Sequence, residues 1–300
     1  NATRASDCGD ELDGAAGAAV GAPVAGGLGG AEAQLARERL VAATTRAARR
    51  RDQTGMAGAC TIGRVLTVGW LRPDALARAV AVRWAWLSDV DDGALTLLST
   101  DERRAAHRKA TPLLQRRALA SYALRRLVLS AALGAPAREL VFQRGRGGKP
   151  ELGEGAPHFS VSHAGDLWAC AVTTSCPVGL DVEDAEAPLD AAEIVDAAFS
   201  VAEQEAFRTM PREQQRRAFF RAWTRKEAYG KRSGDGLTES QRFTVTLGEE
   251  ALLLADPRRP GEELRVALVD LVLPSPFVGA VACAVEAATV DLAFWPSGGR

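Results

Sequence analysis

Two long stretches with helical periodicity, each bracketed by short runs that alternate as strands do, constrain the fold of this chain more than any other feature. From Leu113 to Leu133, apolar residues Leu119, Tyr122, Leu127 and Val128 fall near helical spacing, Pro112 precedes them and Gly134 comes after, so one long helix is predicted. The second helical stretch begins after Asp190 and runs through Tyr229. An earlier, shorter helix is capped at Ser99 or Thr100, because Asp101 and Glu102 occupy its first turn and Arg103, Arg104 and Arg108 come next; Pro112 interrupts it.

The strands come in two sets. In the first, Val82, Trp84 and Trp86 alternate with Arg83 and Ala85, which predicts a core strand with one buried face; Leu140 to Phe142, Phe159 to His163, Trp168 to Thr173 and Val178 to Val182 complete the set. The second set is Phe243 to Leu247, Leu264 to Val272, Phe277 to Glu286 and Val290 to Phe294. Each half thus wraps strands around a helical stretch. The fold class read from this is α+β, two similar lobes at 79–177 and 178–296 joined near Pro177, with a ligand cleft between them. Residues 1–33 hold ten alanines and eight glycines and hardly any large apolar side chain. Burial there cannot offset the entropy of ordering, so 1–78 is expected to be a disordered extension, with 34–51 at most a solvated basic helix.

Composition excludes several function classes. A net charge of −1 gives no global attraction to nucleic acid. The five cysteines are odd in number and lack CxxC spacing, which argues against a zinc site or a disulfide framework and for a reducing cytoplasm. No apolar run reaches the roughly 18 to 20 residues that span a bilayer. Arg49-Arg50-Arg51 fails as an export signal because Asp52 and Arg64 interrupt the chain before an adequate apolar region forms.

The chemistry-bearing residues stand out against this background. Of 37 basic residues only four are lysine, Lys109, Lys149, Lys226 and Lys231, and two of these lie in the segment Phe219 to Leu237. Lysine is a compact, mobile charge that can lend a proton, which arginine does not readily do. On a helix Glu227 and Lys231 share a face at i and i+4; alone, that is a surface ion pair worth about 0.3 to 0.5 kcal/mol. Asp181 and Glu183 end a strand and share a face opposite Leu180 and Val182. Such a pair is commonly a solvated strand end, but a divalent cation also relieves its repulsion, and Glu227 would add a third oxygen ligand suited to magnesium. Ser162-His163 lacks a GxSxG elbow, and neighbouring strand residues face opposite sides, so a histidine donating to phosphate fits better than a nucleophile pair. The glycine-rich run ending at Lys149 is not a P-loop, which would need glycine at Gln143 and Ser or Thr at Pro150; it remains a basic loop able to reach phosphate or adenine.

Taken in order, four motifs make residues 80 to 295 resemble the Sfp-type 4'-phosphopantetheinyl transferases: Gly148-Lys149-Pro150; Phe159-Ser160-Val161-Ser162-His163; Gly179-Leu180-Asp181-Val182-Glu183; and Trp223 to Ala228 with Lys231 and Gly234-Asp235-Gly236-Leu237 behind it. The resemblance implies a pseudo-dimer of two α+β lobes, in the 4'-phosphopantetheinyl transferase fold, with coenzyme A in the cleft. It implies Asp181, Glu183 and Glu227 as magnesium ligands, Glu227 also as base, and Lys231 on the transferring phosphate. Lys149, Pro150, Ser162 and His163 would contact coenzyme A, and Arg103 and Arg116 fall near basic positions for its 3'-phosphate. The implied partner is an apo acyl, peptidyl or polyketide carrier protein whose serine receives phosphopantetheine. Residues between Phe199 and Arg217 are candidates for docking it, with Phe207, Phe219 and Phe220 assigned to the core. The chain departs from the family at Ser160, where asparagine is frequent, and at Asp235, which interrupts the final Gly-x-Gly. Two other readings stay open at this stage, a noncatalytic coenzyme A or nucleotide-binding module and a magnesium-dependent phosphoesterase. A fused pair of lobes has no need to oligomerise, so a monomer is expected.

Overall fold

The computed structural model describes residues 73–295. The basic stretch 34–51, nearly all of the expected extension, and Cys8 and Cys60 lie outside the described residues. In chain order the elements are α1 (Pro73–Leu76), β1 (Val80–Trp86), α2 (Asp92–Leu95), α3 (Thr100–His107), α4 (Pro112–Leu133), β2 (Phe142–Arg144), β3 (Pro150–Leu152), β4 (His158–Ala164), β5 (Leu167–Thr173), β6 (Gly179–Asp184), α5 (Ala191–Ala198), α6 (Val201–Thr209), α7 (Arg212–Ser233), β7 (Thr244–Val245), β8 (Leu253–Ala255), β9 (Val266–Asp270), β10 (Phe277–Ala284) and β11 (Val290–Phe294). Residues 73–78, expected from the sequence to belong to the extension, include the helical turn α1, whose Leu76 is buried.

Local chemistry accounts for the helix ends. Ser99 and Glu102 form a reciprocal capping box at the start of α3. Thr111 caps α4, Pro112 occupies its first turn, and Gly134 closes it with φ 65°. The helical stretch after Asp190 is three helices rather than one, because Ser200 with Glu203 restarts the chain at α6 and Pro211 restarts it at α7.

Alternation along the strands then builds the layers. The first sheet has the order β11-β1-β5-β4 and the second β6-β10-β9. Ala81 and Ala85 of β1 and Trp168, Cys170 and Val172 of β5 pack under α4. Ala280 and Ala282 of β10 pack against Phe219, Trp223 and Tyr229 of α7. Between the sheets lie Val80, Val82, Ala169, Ala171, Leu180, Val182, Val281 and Cys283. Each lobe is therefore a long helix on a sheet, the α+β arrangement expected. The single buried face expected for β1 needs correction: the second sheet covers the Val82 face, α4 covers the opposite one with Ala81 and Ala85, and Arg83 on that opposite face is only 4% exposed and holds Asp291 at 2.8 Å.

Two features seat the site. The final strand, β11, pairs in parallel with β1, so the end of the described chain lies in the first sheet. Gly179, at the start of β6, lies against α7 so closely that a Cβ would stand 1.8 Å from the Ala228 carbonyl oxygen and 2.5 Å from the Arg232 nitrogen. Both obstacles are backbone and cannot rotate away. Gly179→Ala is expected to push β6 from α7 and cost about 3 kcal/mol or more, at the upper end of overpacking penalties. A urea melt coinciding with that of the parent protein would refute this.

Candidate active site

Because Leu180 and Val182 enter the layer between the sheets, Asp181 and Glu183 face away from it, toward α7. They are not a solvated strand end. Asp181 is 0% exposed and Glu183 3%, and Glu227 of α7 is 3% exposed. Lys231, one turn beyond Glu227, donates from Nζ to Asp181 Oδ1 at 2.7 Å and to Ser162 Oγ at 3.2 Å. Ser162 in turn donates to the same Oδ1 at 2.9 Å, whereas Asp181 Oδ2 is buried with no hydrogen-bond partner.

Crowding of like charge is the dominant electrostatic fact here. Burial first, then the neighbouring charges of Asp181 and Glu227, push the Glu183 carboxyl well above the ordinary carboxylate range, with Lys231 offsetting part of the effect. The Trp223 indole N–H leans on Glu183 with the same sign as Lys231, but falls short of hydrogen-bond geometry. Three buried carboxylates with one ammonium, one of their oxygens unpartnered, are donors of the hard-oxygen type that magnesium takes. Among the described residues no three His, Cys, Asp or Glu side chains stand close enough together to hold a metal ion as they are. The positive charge at Asp181 is supplied by Lys231.

On the first-lobe side, β4 turns Ser162 toward β6 and His163 the opposite way. His163 is half-buried. Burial, then the cations Lys231, Arg117 and Lys109, hold its imidazole well below the usual histidine range, so it is neutral at physiological pH and offers one N–H donor. Lys109 and Arg117, whose charges act on His163, were not singled out as candidates in the sequence. Lys109 carried a usable signal, being one of only four lysines; Arg117, in an arginine-rich helix, carried none. Arg117 Nε is buried without a hydrogen-bond partner.

The remaining candidates are distributed less directly. Lys149 donates to the carbonyls of Val178 at 2.6 Å and Lys231 at 3.2 Å, joining the glycine loop of the first lobe to the lobe junction and the end of α7. Burial lowers its pKa to about 8. Gly147, at φ 61°, packs on the α7 terminus, where a Cβ would stand 2.6 Å from the Gly234 carbonyl oxygen. Pro150 opens β3 opposite Arg144. Arg103 and Arg116 point their guanidinium groups at the carbonyls of Leu95 and Val90, bracing the turns before α3, and Arg116 lies 3.6 Å from Asp92. Ser160 accepts from the Leu180 N–H at 3.0 Å, so it still ties β4 to β6. Asp235 is held by Arg258 and Arg259. Phe207, Phe219 and Phe220 are core residues, as assigned. A separate groove of about 370 Å³ between α6 and the 244–250 segment is lined by Ala202, Ala206, Met210, Leu247 and Leu254; no site carboxylate opens into it.

Residues 177–260 match the family described as the 4'-phosphopantetheinyl transferase superfamily, and residues 83–175 match 4'-phosphopantetheinyl transferase, N-terminal. Over 201 residues the chain is 33% identical to the 4'-phosphopantetheinyl transferase HetI of Nostoc sp., covering 66% of this chain and 82% of the relative. It is 32% identical over 168 residues to the 4'-phosphopantetheinyl transferase psf-1 of Bacillus pumilus, covering 54% of this chain and 71% of the relative. Against the 4'-phosphopantetheinyl transferase Sfp of Bacillus subtilis the identity is 31% over 107 residues, 34% of this chain and 46% of that protein.

Proposed function

Because the chain belongs to the 4'-phosphopantetheinyl transferase superfamily, we propose that it moves the 4'-phosphopantetheine group of coenzyme A onto a serine hydroxyl of an apo carrier protein, releasing adenosine 3',5'-bisphosphate, at the site built by Asp181, Glu183, Glu227 and Lys231. The observation that carries the assignment to this site is the burial of all three carboxylates around one ammonium. A noncatalytic coenzyme A-binding module has no need of so costly a cluster.

The reaction forms a bond between the carrier serine oxygen and the phosphorus next to pantetheine, and breaks the bond from that phosphorus to the pyrophosphate bridging oxygen. Glu227 takes the serine proton, directly or through water. Lys231 passes from Asp181 to the phosphate oxygens and steadies the charge left on the departing bisphosphate. Magnesium, held by Asp181, Glu183 and Glu227, would supply neutralisation of the pyrophosphate charge. His163, neutral and able to donate, stands with Lys109 and Arg117 as the first lobe's contribution to coenzyme A phosphate binding. Lys149 holds the glycine loop in place beside the coenzyme, with Pro150 and Ser162 on the same side.

The lobes are assigned to 79–177 and 178–296, with β11 of the second stretch completing the sheet of the first lobe, the working form to a monomer, and the place of work to the cytoplasm. No helix of the described residues is long and apolar enough to cross a membrane.

The test is to incubate the protein with coenzyme A, magnesium and an apo carrier and to weigh the carrier by mass spectrometry. A gain of one phosphopantetheine is expected. Unmodified carriers of fatty-acid, polyketide and nonribosomal-peptide type, with folded enzyme, would refute the transferase reading. Bisphosphate release without a carrier would indicate a phosphoesterase instead.

A further inference from the structure

We propose that Asp235 is a positioning residue for coenzyme A binding, tied to Arg258 and Arg259 so that the Gly234-Asp235-Gly236 turn stays fixed as the seat for the first lobe's glycine loop. The inference rests on the reading of the cleft given above, and it assigns a task to the residue at which the sequence departs from the family pattern.

The turn is held from three directions. At one end the Gly236 carbonyl oxygen lies against α7, where a Cβ on Gly230 would stand 2.7 Å from it. At the other the Gly234 carbonyl oxygen faces the first lobe, where a Cβ on Gly147 would stand 2.6 Å from it. Between them the Asp235 side chain, 8% exposed, accepts at Oδ2 from Arg259 Nη2, with Arg258 Nη1 at 3.5 Å. The two arginines are anchored in turn. Asp256, 2% exposed, accepts from Arg258 at 2.8 and 2.9 Å, from Arg259 at 3.2 Å and from the Tyr229 hydroxyl at 2.8 Å. Tyr229 is on α7, just ahead of Lys231, so the same cluster braces both the turn and the end of the helix that carries the site ammonium.

Charge separates positioning from direct attraction. Asp235 and Asp256 offset Arg258 and Arg259 one for one, and Glu239 lies 3.9 Å from Arg258, so the cluster has no positive surplus with which to draw in a phosphate. Its effect on the coenzyme runs through packing. Where backbone meets backbone no side chain can yield, so a shift of the turn passes to Gly147 and along the loop to Lys149, which reaches the Val178 and Lys231 carbonyls across the lobe junction. A displacement of about 1 Å in a group that positions a ligand can cost up to about 10²-fold.

The experiment titrates the full chain with coenzyme A by calorimetry, reading Kd and stoichiometry separately. Asp235→Ala is expected to weaken binding by roughly tenfold, within the range of a misplaced group, at unchanged stoichiometry. Arg259→Met, which breaks the same contact from the other side, should do likewise, and the double variant should bind no more weakly than the weaker single one. Tighter binding by Asp235→Ala would overturn the proposal, because losing a carboxylate beside a polyanion, or freeing two arginines to touch it, strengthens binding where a loosened seat weakens it. A parent-like Kd would also overturn it; with reduced stoichiometry, that result would mark Asp235 as a residue of general stability. Losses that add in the double variant would show two independent effects and refute the shared contact. If Asp235→Ala does not fold, Asp235→Asn, of the same shape without the charge, replaces it with the same direction expected. Failure of the parent protein to bind coenzyme A would overturn this proposal together with the reading of the cleft, whereas a parent that binds beside an unaltered variant overturns the positioning role alone.

Discussion

Glu227→Gln should lower carrier modification by about 10²- to 10⁴-fold, the range supplied by a positioned base, with saturating coenzyme A unable to restore it. The exchange is nearly isosteric, and Glu227 is only 3% exposed, so the packing around it is retained. Stability should hold or rise. Glu227 is one of the charges that push the Glu183 carboxyl upward, and removing it relaxes that repulsion and brings Glu183 back toward its ordinary range. An inactive variant that melts at or above the parent temperature would mark Glu227 as a residue kept for chemistry at the expense of stability. Undiminished turnover, measured as carrier mass gained per unit time, would remove it from the proposed role.

The largest stability effect is expected one residue earlier. Lys226 and Glu203 are both 0% exposed at their side chains and meet at 2.6 Å, and Lys226 also donates to the Phe243 carbonyl at 2.8 Å. Glu203 serves further as the capping residue that receives the Ser200 N–H and as acceptor for the Val245 N–H, both at 2.7 Å. Burial outweighs the attraction of Glu203 and lowers the Lys226 pKa, so the ammonium is kept there against a desolvation cost. Lys226→Met would strand the Glu203 carboxylate and cost about 3–5 kcal/mol, the usual result of breaking a buried pair from one side. Adding Glu203→Gln should recover part of that loss. A urea-melt double-mutant cycle measures both, and a shift below about 1 kcal/mol, the scale of an exposed pair, would contradict the buried-pair account.

These two neighbours show what was legible in the sequence. Helical geometry placed Glu227 with Lys231 and separated Lys226 from them, because periodicity is a local property. The partner of Lys226 lies 23 positions away on another helix, and no local pattern announces it. The long helices, their caps and most strands were readable for the same reason. The burial of Asp181 and Glu183 was not, since a DxE pair looks alike whether α7 or water covers it. Arg103 and Arg116 fell near basic positions by sequence order, yet their guanidinium groups turn to nearby carbonyls. Lys109 and Arg117 are first-lobe cations whose charge acts on His163.

The return of β11 to β1 also governs how the molecule comes into being. Arg83 and Asp291 are joined across 208 positions of sequence, in one of the strand pairs that complete the first sheet. Local helices form early, but a sheet whose outer strand arrives last must wait for loop closure over almost the whole described chain. During synthesis the first lobe emerges with one edge of β1 open, and that edge is a template for other strands until residues 290–294 fill it. The first sheet is therefore completed only after the second lobe has been made, and the hazard to the nascent chain lies at its first strand.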